Sequence, residues 1–271
     1  MFIDTHCHLN ILATNLVQEP LREPHWKVLE QAINAADAAG VKKIINVGTA
    51  IDESKQSMEI ARRYASVFSS IGVHPTDCNE LPDSPHEVQV ALKNMLHDRE
   101  HSKIVGIGET GLDFYHKPFN QQRQVDYFKM HLELALEHKL PVVVHVREAA
   151  DETLRVLEEF IPNGLRAVIH CFQQELYVAK QACSWGLYVG IDAPIGYPKN
   201  GWMREVVKQI PLEHMVLETD APFLPPQEFR GKMNYPAYIP LIAQELATLL
   251  GVAPDVVEER TTRNACTLFG I

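Results

Sequence analysis

Residues 141–149 read PVVVHVREA, an apolar run that ends in a histidine and passes at once into polar residues. This is the form of a buried strand that delivers a polar side chain at its C-terminal end. Outward from it, the same unit recurs along the chain. Short apolar runs at residues 2–6, 42–47, 67–73, 104–109, 141–146, 166–171, 187–191 and 215–219 alternate with amphipathic stretches, in the order strand then helix. Trp26, Leu29, Ile33 and Ala36 keep a helical stripe, and Gly40 sits where that helix would end. Ser84-Pro85-His86-Glu87 has the form of a capping box with Pro at the first helical position. Asn120 is placed to cap a long helix in which Val125, Phe128, Leu132 and Leu136 share a face. Two further helices are expected at residues 240–250 and 254–269. Eight strand–helix repeats predict an α/β protein, a (β/α)8 TIM barrel forming a single domain over residues 1–271. The structural alternative is an open doubly wound sheet, but no Gly-rich phosphate fingerprint follows the first strand.

Composition narrows the function classes. With 271 residues and 46% of them hydrophobic, the chain can bury a large core. Its formal net charge of −10 is unlike that of a tight nucleic-acid binder. A phosphate substrate would have to find its counter-charge locally, in bound metal or a few placed Arg and Lys residues. No apolar run approaches the length of a membrane span, and MFIDTHCHL lacks the basic and apolar regions of a signal peptide. Five cysteines without framework spacing suit reduced thiols. The expectation is a cytoplasmic monomer with no membrane partner.

The chemistry gathers at the strand ends. The first run ends in Asp4-Thr5-His6-Cys7-His8, the third in His74, the fourth in Glu109-Thr110-Gly111-Leu112-Asp113, the fifth in His145, the sixth in His170 and the eighth in Glu218-Thr219-Asp220. Barrel enzymes keep their active sites at this end, so the expected metal site lies at the C-terminal end of the strands. Residues two apart on a strand share a face. His6 and His8 should therefore point into the mouth together, and Glu218 with Asp220, while Cys7 and Cys171 pack outward against helices. Several imidazoles mixed with carboxylates suit borderline divalent ions, and the set exceeds the needs of one ion. Two divalent metal ions follow, drawn from Mg²⁺, Mn²⁺, Zn²⁺ or Fe²⁺. Burying so many polar groups at one end for packing alone would be costly. The remaining histidines of helices and loops, His25, His86, His97, His101, His131 and His138, are read as surface residues, and His214 as structural.

These motifs, in this order, resemble the TatD family of metal-dependent nucleases within the amidohydrolase-like barrels. The resemblance covers nearly the whole chain and is carried by DTHCHL (4–9), GVHP (72–75), GETGLDFY (108–115), PVVVHVREA (141–149), HCF (170–172), ETDAPFLPP (218–226) and RGK (230–232). It implies that His6, His8 and Asp220 hold one ion, that His145 and His170 hold the second, and that Glu109 bridges them. It implies a substrate-phosphate contact for His74, whose other reading is a hydrogen bond that braces its loop. Asp4 would support the metal shell from below. Asp220 would accept or orient the proton of an attacking water, and Glu218 would either orient Asp220 or a metal-bound water or serve only as a supporting carboxylate behind the metal ligands. Arg147, Arg230 and Lys232 are the candidates for substrate phosphate. The implied activity is phosphodiester hydrolysis of DNA in the manner of a 3'-5' exonuclease, with RNA as an alternative substrate. Several positions depart from the common family pattern, among them Thr110, Val146-Arg147-Glu148, Gln173-Gln174-Glu175 and Met233-Asn234-Tyr235. None of them is a proposed metal ligand, and they bear on substrate contacts, above all around Met233 and Tyr235. The rival enzyme class is an amidohydrolase of small-molecule amides, lactones or phosphoesters, where many members bridge their metals with a carboxylated lysine; here that place holds Glu109.

Overall fold

The computed structural model describes residues 1–15 and 19–271. Eight strands, β1 (Phe2–Cys7), β2 (Val41–Val47), β3 (Val67–Ile71), β4 (Ile104–Asp113), β5 (Val142–Arg147), β6 (Ala167–Ile169), β7 (Tyr188–Ile191) and β8 (Met215–Leu217), pair in parallel and in chain order. The sheet closes through the parallel bridge Cys7–Ala221, the His8 N–H to Ala221 carbonyl bond (2.7 Å) and the Asp220 N–H to His6 carbonyl bond (2.9 Å). This is the (β/α)8 barrel. Around it run α1 (Leu9–Ala13), α2 (Glu23–Ala38), α3 (Ile51–Arg63), α4 (His86–Leu96), α5 (Gln121–His138), α6 (Ala150–Phe160), α7 (Leu176–Ser184), α8 (Gly201–Val207), α9 (Ile239–Leu250) and α10 (Pro254–Phe269).

Two apolar layers hold it together. Val142 and Val144 join the large core between sheet and helices, while Val143, between them in sequence, joins a separate core with Ile3, Ile45, Val47, Val105, Val168 and Val216. The alternation is that of a strand buried on both faces. Leu268 and Phe269, at the end of α10, pack onto this second core and plug the barrel floor. Each such side chain contributes about 1.5–3 kcal/mol by leaving water.

Helix ends follow local chemistry. The Asn120 side chain accepts the Arg123 N–H (3.0 Å) at the start of α5, and Gly40 takes φ +88 just past α2. The box at Ser84 is looser than expected. The helix begins at His86 with Pro85 as its cap residue, and the Ser84 hydroxyl accepts the His86 N–H at 3.4 Å. At the mouth, β4 and β5 come very close. An added Cβ on Gly111, at φ +142, would lie 2.1 Å from the His145 carbonyl oxygen, so only glycine fits there.

Strand alternation does not by itself aim the first motif. Counted from the inward Ile3, it would turn Thr5 and Cys7 inward and His6 and His8 outward. The β1–β2 register slips between Asp4 and Cys7, and a slip of one residue reverses the faces. Cys7 therefore packs in the sheet–helix core and the two histidines reach the mouth. Among the described residues no single helix is long and apolar enough to cross a membrane.

Candidate metal centre

Three groups of side chains bring their donor atoms within 4.8 Å of one another at the barrel mouth: His6 with His8 and Asp220, His6 with Glu109 and His170, and His74 with Glu109 and His145. His6 Nε2 and His8 Nε2 lie 3.0 Å apart, and Asp220 Oδ1 is 3.5 and 3.4 Å from them. Glu109 stands between the two sides. Its Oε2 is 3.4 Å from His6 Nε2, and its Oε1 is 2.8 Å from His170 Nε2, 2.9 Å from His145 Nδ1 and 3.4 Å from His74 Nε2. The His6 and His170 rings stack with centroids 4.0 Å apart.

Electrostatics in this cluster are strongly coupled. Burial alone would raise the Glu109 carboxyl, but the charges of His170 and His74 and hydrogen bonds from His145 and His170 hold it well below the carboxylate range. Burial pulls His170 down, yet Glu109 and Glu218 carry it well above the usual imidazole value. Against the same burial, His145 rises through Asp113 and Glu109, and His8 through Asp220 and Glu109. His6 falls, through burial and the charge of His170. A low carboxylate among buried imidazoles whose nitrogens point at one another is a donor set that suits divalent cations. The His6 Nδ1 and His170 Nδ1 atoms, turned away from the centre, are buried and lack a hydrogen-bond partner among the described residues.

The carboxylates of the eighth strand end serve different histidines. Asp220, at φ +56, faces His6 and His8. Glu218 lies beneath His170, with Oε1 3.6 Å from Nδ1 and accepting the Cys171 N–H. Asp4 is fully buried and accepts the Thr219 N–H (3.0 Å), the Thr219 hydroxyl (2.6 Å) and the His6 N–H (3.3 Å). It thus ties the first strand to the residue that precedes Asp220.

His74 is anchored on its far side. Its Nδ1 accepts the Thr76 N–H (3.3 Å) and lies 2.6 Å from the Thr76 hydroxyl. A backbone N–H at Nδ1 leaves the ring proton on Nε2, which faces Glu109. Arg147 and Arg230 line the same cavity of about 1050 Å³ as the cluster. Each guanidinium lies over an aromatic ring, Arg147 on Tyr115 (4.6 Å) and Arg230 on Tyr197 (4.4 Å). Lys232 does not line that cavity; it is exposed, 6.0 Å from the Phe229 ring. Gly231, at φ +82, stands between the two cations. Trp202 lines the cavity and is half exposed, whereas Phe114 and Phe119 stack on each other at 5.2 Å.

Two expectations are corrected. Cys171 does not pack outward but lines the cavity. β6 ends at Ile169 and Cys171 takes φ +46, so strand alternation no longer governs it. His131 is not a surface residue but wholly buried on α5. Its Nδ1–H donates to the Tyr127 carbonyl (2.7 Å) and its Nε2 accepts the Val73 N–H (3.1 Å), which braces the turn carrying His74. Asp113, expected only as part of the fourth strand end, has contacts of its own in the site. Its Oδ2 lies 3.1 Å from His145 Nε2 and 2.8 Å from His116 Nδ1. Its place on the strand of Glu109, four residues on, was the available signal.

Comparison with known proteins gives concordant results. A family model described as TatD related DNase matches residues 3–270. The chain is 34% identical over 247 residues to the 3'-5' ssDNA/RNA exonuclease TatD of Salmonella typhimurium, covering 89% of this chain and 93% of that protein. It is 31% identical to the uncharacterized metal-dependent hydrolase YabD of Bacillus subtilis, over 100% of both chains. Among solved structures it resembles YJJV, a TatD homolog from Escherichia coli K12, with a TM-score of 0.88, 28% identity and coverage of 100% and 98% of the two chains.

Proposed function

The chain belongs to the TatD-related DNase family of metal-dependent hydrolases, and on that premise we propose that residues 1–271 form one hydrolase domain that removes nucleotides from the 3' end of DNA, and of RNA as a second substrate. The observation that carries this reading is Glu109, buried and within 3.4 Å of nitrogens from His6, His74, His145 and His170 in an open cavity. His6, His8 and Asp220 would hold one divalent ion, His145 and His170 a second, and Glu109 would bridge them. Such ions supply Lewis-acid charge at phosphorus and make water acidic enough to act as a nucleophile.

The rest is work for the chain. Asp220, whose carboxyl is held low by His8 and His6 against its burial, is ionised and placed to accept the proton of the attacking water. His74 Nε2–H points into the site and donates to a non-bridging phosphate oxygen. Arg147 and Arg230, steadied on aromatic faces, pair with flanking phosphates. Lys232 then contributes only long-range charge. All five cysteines are unpaired, which supports a reducing, cytoplasmic setting; the chain is taken to work as a monomer.

The test is hydrolysis of an end-labelled single-stranded oligonucleotide by chelator-stripped protein resupplied with Mg²⁺, Mn²⁺ or Zn²⁺, beside Glu109→Ala and a panel of p-nitrophenyl carboxyl and phosphate esters. Metal-dependent shortening from the 3' end, lost in the variant by roughly 10⁴-fold, is expected. Intact oligonucleotide with turnover of carboxyl esters or lactones would overturn it in favour of a small-molecule hydrolase.

A further inference from the structure

We propose that Asp113 is a positioning residue that locks His145 in the tautomer whose unprotonated Nδ1 faces the metal centre; this rests on the metal-centre reading above and adds a residue to it. Asp113 is completely buried, and its two oxygens have different duties. Oδ1 accepts the backbone N–H of Tyr115 (3.0 Å) and of His116 (2.9 Å). Oδ2 faces two imidazoles, His145 Nε2 at 3.1 Å and Nδ1 of the exposed His116 at 2.8 Å. Gln124 pins the backbone from both sides: the Asp113 N–H donates to Gln124 Oε1 (2.8 Å), and Gln124 Nε2 donates to the Asp113 carbonyl (2.9 Å). The carboxylate cannot swing away without breaking this set.

An ionised carboxylate only accepts, and a neutral imidazole carries one N–H. With that proton committed to Asp113 Oδ2, the lone pair of His145 lies on Nδ1. Nδ1 is the nitrogen 2.9 Å from Glu109 Oε1 and 3.4 Å from His170 Nε2. His8 is presented the other way round, with Nδ1 turned to the Val47 carbonyl (3.3 Å) and Nε2 toward the centre. A partner on the outer nitrogen fixes both tautomer and ring angle of a metal-binding histidine.

The division of labour between the two oxygens makes Asp113→Asn an unusual variant. The two backbone N–H groups require the amide oxygen at the Oδ1 position. The amide nitrogen is therefore forced to the Oδ2 position, where one N–H faces His145 Nε2 and the other faces His116 Nδ1. Nε2 must then accept, and the proton moves to Nδ1, the nitrogen that should bind metal. Asp113→Ala merely releases the ring.

Zn²⁺ affinity of stripped wild type, Asp113→Asn and Asp113→Ala, measured by chelator competition with the fold checked by circular dichroism, distinguishes the roles. The expected loss is about 100-fold for Asn and about 10-fold for Ala, the span found for outer partners of metal ligands. A merely structural Asp113 would reverse the order, because Asn fills the space and Ala does not; Asn equal to or tighter than Ala overturns the proposal. Wild type that takes up no Zn²⁺ overturns the metal-centre reading and this one with it. Should the Asn chain not fold, histidine ¹⁵N NMR of Zn²⁺-loaded wild type decides. His145 with Nε2–H and metal on Nδ1 supports the assignment, and the opposite tautomer overturns it.

Discussion

The two ends of the barrel are built from the same strands and solve opposite problems. At the floor, Ile3, Ile45, Val47, Val105, Val143, Val168 and Val216 close on Leu268 and Phe269, an entirely apolar set. At the mouth, a few residues further along those strands, His6, Glu109, His170 and Asp220 are buried as well, from 0% exposed at His6 to 9% at Asp220. Groups of that kind cost free energy to desolvate unless charge partners repay it. The difference teaches that the floor supplies the stability against which the mouth holds a strained, charged arrangement.

That comparison can be broken by exchanging the roles of its ends. Leu268→Ala is expected to cost about 2–5 kcal/mol of folding stability, read by urea unfolding, with kcat at low temperature unchanged. The roughly 10⁴-fold loss expected for Glu109→Ala runs the other way, with the fold retained. A Leu268→Ala enzyme that loses activity as severely would mean that floor and mouth are one mechanical unit.

His131 sharpens the boundary between the two regions. It is buried like a floor residue but serves the mouth through Val73. Burial pushes its imidazole down to about 4 from 6.5. Because the folded value lies below the unfolded one, its contribution is present above pH 6.5 and is lost as pH falls toward 4. The loss across that window is about 3 kcal/mol. The difference in unfolding free energy between wild type and His131→Gln should shrink by that amount on going from pH 7 to pH 4. A pH-independent difference would show that the imidazole titrates alike in the folded and unfolded chains.

The smallest effect concerns the rim. Arg230→Ala should raise KM for an oligonucleotide about 10-fold, the loss of one charge-assisted hydrogen bond. Lys232→Ala should change it less than 2-fold at 0.15 M salt, where exposed charge is screened. Equal effects would mean that charge alone, rather than the Tyr197-steadied guanidinium, holds the substrate.

Much of the protein was legible before folding. The eight apolar runs predicted eight strands, and all eight formed, because burial on both faces demands continuous apolar sequence. His6, His8, Glu109, His145, His170 and Asp220 were placed together because strand ends in a parallel barrel all face one way. The roles of Asp113 and His131 were missed for one reason. Each acts by touching a residue far along the chain, His145 and Val73; strand alternation puts Asp113 on the face of Glu109 but does not name its partner, and nothing local marks His131. Cys171 was placed wrongly because strand periodicity was carried two residues past the last paired residue of β6.

The sequence by itself determined the barrel, its polarity and the residue types at its mouth, since hydrophobic period and strand order are local properties of the chain. Only the tertiary structure decided which way those residues point. The register slip in β1 turns His6 and His8 inward, the left-handed turns at Cys171 and Asp220 re-aim the strand ends, and the two oxygens of Asp113 select a nitrogen of His145. Register and tautomer are set by pairing between distant segments, so they exist only once the barrel has closed.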